Sequence, residues 1–309
     1  MITSLFKKST PINYAFIFLM LLFFFGVYQF QQVGSVFSIG FFVKKVIIIG
    51  AITASFLTAN FIIKKNGLSK DSAYMILFYL LLQLFFPSIM NNLDLIMSNF
   101  FIILALRRLI SLQSPKSTKE KIFDASLWIF VASLFHFWSI LFIILVFISI
   151  LFHTARDYRT WFLPFIAFFI ATMIFILTDL VFDKNIITNI IANTSRDFQI
   201  NYFANNYQNI AISIFATLSL YFTFYLVFTI SNRPIVLHSS YKKIIAAFFI
   251  GIVVFLISPN KSNDILIFTF TPLAFMITLF TETPQSKVKS ELTIAIVILS
   301  SLFAFFSQL

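Results

Sequence analysis

"NNLDLIMSNFFIILALRRLISL", residues 91–112, opens near a carboxylate at Asp94 and reaches Arg107 and Arg108 after twelve intervening residues. A membrane-crossing helix needs about 20 mostly apolar residues, with roughly 17 as a lower limit, so this uncharged core is short. The excess of Lys and Arg on the cytoplasmic side decides whether it crosses. With a crossing here and an even number of passes over residues 122–152, 17 of the 22 Lys and Arg fall on the cytoplasmic side. Without it, everything downstream inverts and 8 remain inside against 14 outside. The stretch therefore reads as a crossing helix that runs on to about Leu112. Arg107 and Arg108 snorkel toward the cytoplasmic headgroups, and Asp94 lies at the outer end.

The rest of the chain has the same character. Of 309 residues, 60% are hydrophobic, 19% aromatic and only 11% charged, against about 25% charged in a soluble domain. Apolar runs continue from Asn13 to the C-terminus, which predicts one integral membrane domain over residues 1–309. The net charge of +11 comes from small basic groups at the ends of apolar runs. That is an orientation signal, and it excludes the clustered basic face of a nucleic-acid binder. With no cysteine, disulfides and thiolate metal sites are excluded.

Further spans are predicted over residues 13–30, 46–63, 73–90, 161–178, 208–230, 244–258, 265–280 and 292–308. Residues 122–152 are too long for one pass, and predict two short helices turning near "FHFWS" or a re-entrant pair. The fold expected is an all-α polytopic transmembrane bundle of about 11 passes (9 to 11), with the N-terminus cytoplasmic. The long outer loop after residue 178 is Asn-rich and predicts an interfacial helix around Ile186–Ile191.

Ionisable groups near bilayer depth are costly to hold there and mark candidate function. Asp94 reads as the N-cap of its helix and as a candidate general base or metal ligand, two roles that do not exclude each other. Asp179 and Asp183, four residues apart, share a helix face if the helix continues, and could together hold a divalent cation. His136 at the turn of the short helix pair could shuttle a proton, or belong with Trp138 to an interfacial aromatic belt. Lys44 and Lys45 lie against the charge rule on the outside, directly before the second helix. With Arg196 they are candidate ligands for a lipid phosphate. "ARDYRTW", residues 155–161, is a cytoplasmic elbow. No phosphate-binding glycine loop, zinc-protease motif or nucleophile elbow occurs.

The opening "MITSLFKKSTPIN", with residues 91–112 and "ARDYRTWFLPFIAFF", resembles a family of uncharacterised bacterial inner-membrane proteins. The layout also resembles polyprenol-phosphate-dependent glycosyltransferases of the multi-helix GT-C type. That resemblance implies a polyprenol-linked sugar as partner, chemistry at the outer leaflet, and Asp94 as the acid of the second outer loop. It departs in the first outer loop, "QQVGSVFSIGFFVKK", which lacks the acid those enzymes carry. The alternatives are an enzyme that uses Asp179, Asp183 or Asp264 instead, a non-catalytic relative, a component that assembles a larger envelope complex with other membrane proteins, and a transporter of lipid or small solute. A transporter should expose polar groups at mid-depth, where Asn60, Gln83 and Asn99 are the candidates.

Overall fold

The computed structural model describes residues 2–31, 39–182, 206–259, 261–283 and 287–309. Among these, every regular element is helical: α1 (Ile2–Phe6), α2 (Pro11–Gln31), α3 (Ile39–Lys65), α4 (Tyr74–Leu84), α5 (Leu93–Ile110), α6 (Thr118–Phe135), α7 (Ile143–His153), α8 (Tyr158–Phe182), α9 (Asn206–Thr229), α10 (Ile235–Ile257), α11 (Ile267–Glu282) and α12 (Lys287–Ser307). Eight helical segments among the described residues are long and apolar enough to cross a membrane. The chain is an all-α integral membrane protein in contact with lipid. The predicted interfacial helix at 186–191 lies outside the described residues.

Two helices form the centre. α4 is buried along its whole length and α11 along all but its last residue, Glu282, as expected of helices that are apolar all round. α11 packs against α4, α9 and α10, and α4 also meets α2, α3 and α12. In lipid, such contacts hold by close packing rather than by hydrophobic transfer. Phe86, Phe215 and Phe270 meet with ring centres 5.4 to 6.3 Å apart. Aromatic pairs of this kind contribute about 0.5–1.5 kcal/mol each beyond area.

The outer ring is lipid-facing. α2, α8, α9 and α12 expose most of their surface, and what they expose is apolar, including Phe23, Phe169, Phe228 and Leu299. α12 closes the ring against α1 and α4. Thr3 donates its hydroxyl to Glu291 at 3.1 Å, and Phe24 meets Phe305 at 5.1 Å.

Three boundaries differ from the sequence expectation. The span predicted over 73–90 stops at Leu84, because Pro87 opens a 3-10 turn, Pro87–Asn91, that aims the chain into α5. Proline has no N–H for a helix interior. Second, α3 begins at Ile39, so Lys44 and Lys45 lie within its first two turns rather than before it. Third, α10 begins at Ile235, nine residues ahead of the predicted span. Residues 122–152 do divide near "FHFWS": α6 ends at Phe135, His136 is extended, and a 3-10 turn, Phe137–Phe142, leads into α7.

The bundle has a basic end and an opposite end. At the basic end, Lys64 pairs with Asp71 at 2.8 Å, Arg108 with Asp124 at 2.9 Å and Lys119 with Asp157 at 3.5 Å. Gly67 turns the chain after α3 with φ +64, and the Leu68 N–H returns to the Ile63 carbonyl at 2.9 Å, a left-handed helix end that glycine adopts without a Cβ clash. Glu282, at the end of α11, accepts from Ser69 Oγ, the Lys70 amide and Ser72 Oγ at 2.5 to 2.8 Å, which ties this loop down.

Candidate functional site

The opposite end holds a cavity of about 210 Å³ with Asp94, His136, Trp138 and Ser262 in its wall. α5 supplies the carboxylate, the α6–α7 turn the imidazole and indole, and the segment after α10 the serine. Sequence reasoning singled out Asp94 and His136 separately, and the fold puts them on one cavity.

Asp94 is free of the capping role. The N-cap of α5 is Asn92, whose side-chain oxygen accepts the Leu95 N–H at 3.2 Å. Asp94 stands in the first turn with its side chain exposed, where the helix dipole favours a carboxylate. The expectation that Asp94 itself caps the helix is therefore corrected: two residues earlier, Asn92 has the non-helical backbone a cap requires.

His136 is held from behind. Its Nε2 lies 3.0 Å from Ser258 Oγ, while that hydroxyl donates to the Val254 carbonyl at 2.7 Å. A serine has one hydroxyl proton, so the imidazole must donate through Nε2–H, and Nδ1 carries the lone pair. Burial pushes the imidazole pKa down to about 4, which keeps the ring neutral near pH 7. Its face lies 5.6 Å from the ring of Phe268.

Beside the polar cavity runs an apolar one. A groove of about 330 Å³ lies between α6 and α8, lined by Phe130, Leu134, Phe168 and Phe175, with Ser133 and Thr172 as its polar members. Phe137 borders both spaces.

The other predicted residues spread out. Lys45 donates to Asn91 Oδ1, which also accepts from Gln29 Nε2 at 3.0 Å, so this ammonium stands on the turn leading to Asp94. Its ring contact is Phe41 at 5.0 Å. Lys44 is exposed, and neither lysine borders the Asp94 cavity. Asp179 lies in α8, away from that cavity. Asp183 and Arg196 lie outside the described residues. Among the described residues no three acidic or histidine side chains group as a metal site.

Of two further buried ionisable groups, the sequence reading singles out only the first. Ser88 donates to Asp264, one of the outer carboxylates read from the sequence, and that residue is 8% exposed. At the basic end, Lys243 is fully buried: its Nζ donates to the Leu109 carbonyl at 2.5 Å and to His153 Nε2 at 3.1 Å. The signal was helical spacing. Ser240, Lys243, Ile244, Ala247 and Gly251 share the buried face of α10, which becomes readable once the helix is drawn back to Ile235.

Compared with family models, curated proteins and solved structures, the chain gives no match.

Proposed function

We propose that this membrane protein transfers a glycosyl group from a polyprenol-phosphate-linked donor at the outer leaflet, as GT-C glycosyltransferases do. One observation carries the reading: a free carboxylate and a neutral imidazole share a polar cavity that borders an apolar groove at Phe137. The groove suits a lipid chain and the cavity a polar head.

In this reading Asp94 is the general base. It takes the proton of an acceptor hydroxyl, the hydroxyl oxygen bonds to the anomeric carbon, and the carbon–oxygen bond to phosphate breaks with its electron pair leaving on the polyprenol phosphate. Base catalysis of this kind contributes about 10²–10⁴-fold. His136, with Nδ1 unprotonated, orients the acceptor. Lys45 of α3, whose ammonium reaches Asn91 on the adjoining turn, is the phosphate ligand in this reading.

The membrane arrangement proposed with it has eleven passes in a bacterial inner membrane, the N-terminus cytoplasmic. The eight long apolar segments are supplemented by α4, α6 and the 3-10 turn with α7. Support comes from the charge distribution, with the basic end inside. Of the polar groups a transporter would use, Asn60 donates to Tyr14 at 3.0 Å and Asn99 to Tyr79 at 2.8 Å, ordinary helix–helix hydrogen bonds, while the buried Gln83 side-chain amide makes none.

The test is the lipid-linked glycan profile of a deletion strain complemented with wild type or Asp94→Asn at equal protein level. Accumulation of a polyprenol-linked sugar that wild type clears and Asp94→Asn does not is the expected result. An unchanged profile in the deletion strain overturns the reading and turns attention to an envelope-assembly role.

A further inference from the structure

At the basic end two cations converge on one ring. Lys65 Nζ lies 5.1 Å from the centre of the Phe61 ring, and the Arg107 guanidinium carbon lies 4.9 Å from the same centre. Lys65 ends α3 and Arg107 stands in the last turn of α5, so the pair bridges two packed helices.

Their neighbours are neutralised and they are not. Lys64, Arg108 and Lys119 each have a carboxylate within ion-pair distance. Among the described residues Lys65 and Arg107 have none. Ring contact and the helix C-terminal dipoles favour each cation singly, yet neither supplies a counter-charge to two cations on one ring. More positive charge stands close by, since Lys121 feels repulsion from both Arg108 and Lys65.

The surface leading to the pair is apolar. Leu57, Phe61 and Lys65 follow at four-residue spacing, which places them on one helix face, and Leu57 is 50% and Phe61 42% exposed. An acyl chain lying along Leu57 and Phe61 would bring its head group to the two cations. A free inorganic anion would have no use for that stripe.

We propose that Lys65 and Arg107, converging on the exposed ring of Phe61, form a binding site for the phosphate of an anionic phospholipid in the leaflet at the basic end. Basic pockets between helices on that side of a membrane recognise such head groups. The guanidinium is the planar, forked ligand and the ammonium the point charge. The site is independent of the Asp94 cavity and needs only that the chain lies in a membrane.

The experiment uses the purified full chain in detergent, with native mass spectrometry of phosphatidylglycerol and phosphatidylcholine adducts. Phosphatidylglycerol should bind more tightly, and K65Q/R107Q should weaken it roughly fivefold for each cation removed, leaving phosphatidylcholine unchanged. K65R/R107K, which keeps both charges, should retain most of the binding. Equal affinity for the two lipids, or an unchanged K65Q/R107Q, overturns the proposal. Millimolar inorganic phosphate should not displace the lipid, and complete displacement would assign the site to a free anion instead. Should K65Q/R107Q fail to fold, the wild type decides alone: phosphatidylglycerol binding must fall between 50 and 500 mM salt, on the order of the screening expected for exposed charges, and salt-independent binding sinks the idea.

Discussion

The imidazole of His136 donates through Nε2 to Ser258, 3.0 Å away, and this contact fixes which nitrogen of the ring is basic. Ser258 is wholly buried. Ser258→Ala leaves the Nε2–H without its acceptor, an orphaned donor that costs about 1–3 kcal/mol. Thermal melting of the solubilised protein should register the loss, and the glycan readout should fall with it as the tautomer is released.

The same histidine makes stability depend on pH. Burial holds its folded pKa near 4, below the ordinary 6.5, so the unfolded chain binds the proton more readily. The stabilisation is complete above about pH 6.5 and is lost as pH falls from there toward 4. Melting temperature measured from pH 7.5 to 4.5 should decline over that window, and His136→Gln should make the decline shallower. An identical slope in the variant would assign the effect elsewhere.

Asn92 and Asp94 should separate stability from function. Asn92→Ala removes the α5 cap and is expected to lower stability by about 1 kcal/mol, while Asp94→Asn should melt close to wild type and lose the proposed glycosyl transfer. Equal destabilisation by the two variants would restore Asp94 to a structural role.

Gly251 reverses the usual helix rule. Alanine is ordinarily better than glycine inside a helix by roughly 1 kcal/mol. Here an added Cβ would stand 2.9 Å from Thr269 Cγ2 and 3.2 Å from the Phe268 backbone. The methyl group of Thr269 can turn aside, but the backbone of α11 cannot without moving the central helix. Gly251→Ala should therefore lower the melting temperature, by about 1–3 kcal/mol of overpacking.

Lys243 is a test of the buried basic end. Lys243→Ala removes the Nζ bonds to the Leu109 carbonyl and to His153 and opens a cavity in the α10 interface, and a loss of about 2–4 kcal/mol is expected from the two effects. Lys242, whose exposed side chain runs over Phe152 at 5.8 Å, should tolerate the same change.

The contrast between these two lysines also shows what the sequence made legible. Long apolar runs and their flanking charges revealed the helices, because membrane insertion acts on composition over some 20 residues and leaves a strong mark. The break at His136 was visible for the same reason, as a run too long for one span. Side-chain fate was harder to see. Lys242 and Lys243 look alike in the chain, and one helical step of about 100° sends them to lipid headgroups and to the core respectively. Asn92 displaced Asp94 as the cap because the exact start of a helix depends on backbone angles that composition does not encode. That Asp94 and His136 share a cavity was beyond reach, since it depends on how α5, α6 and the segment after α10 pack.

The closure of α12 against α1 and α4 sets an order in time. Tyr74 of α4 donates to the Thr3 carbonyl at 2.6 Å, and Thr3 in turn reaches Glu291, so α1 and α4 complete their contacts with a helix made well after them. Until α12 leaves the ribosome, the flank of α4 that it covers faces lipid or an insertion factor. A chain stalled after α11 would be inserted yet unfinished, with an uncovered central helix for quality-control proteases to find.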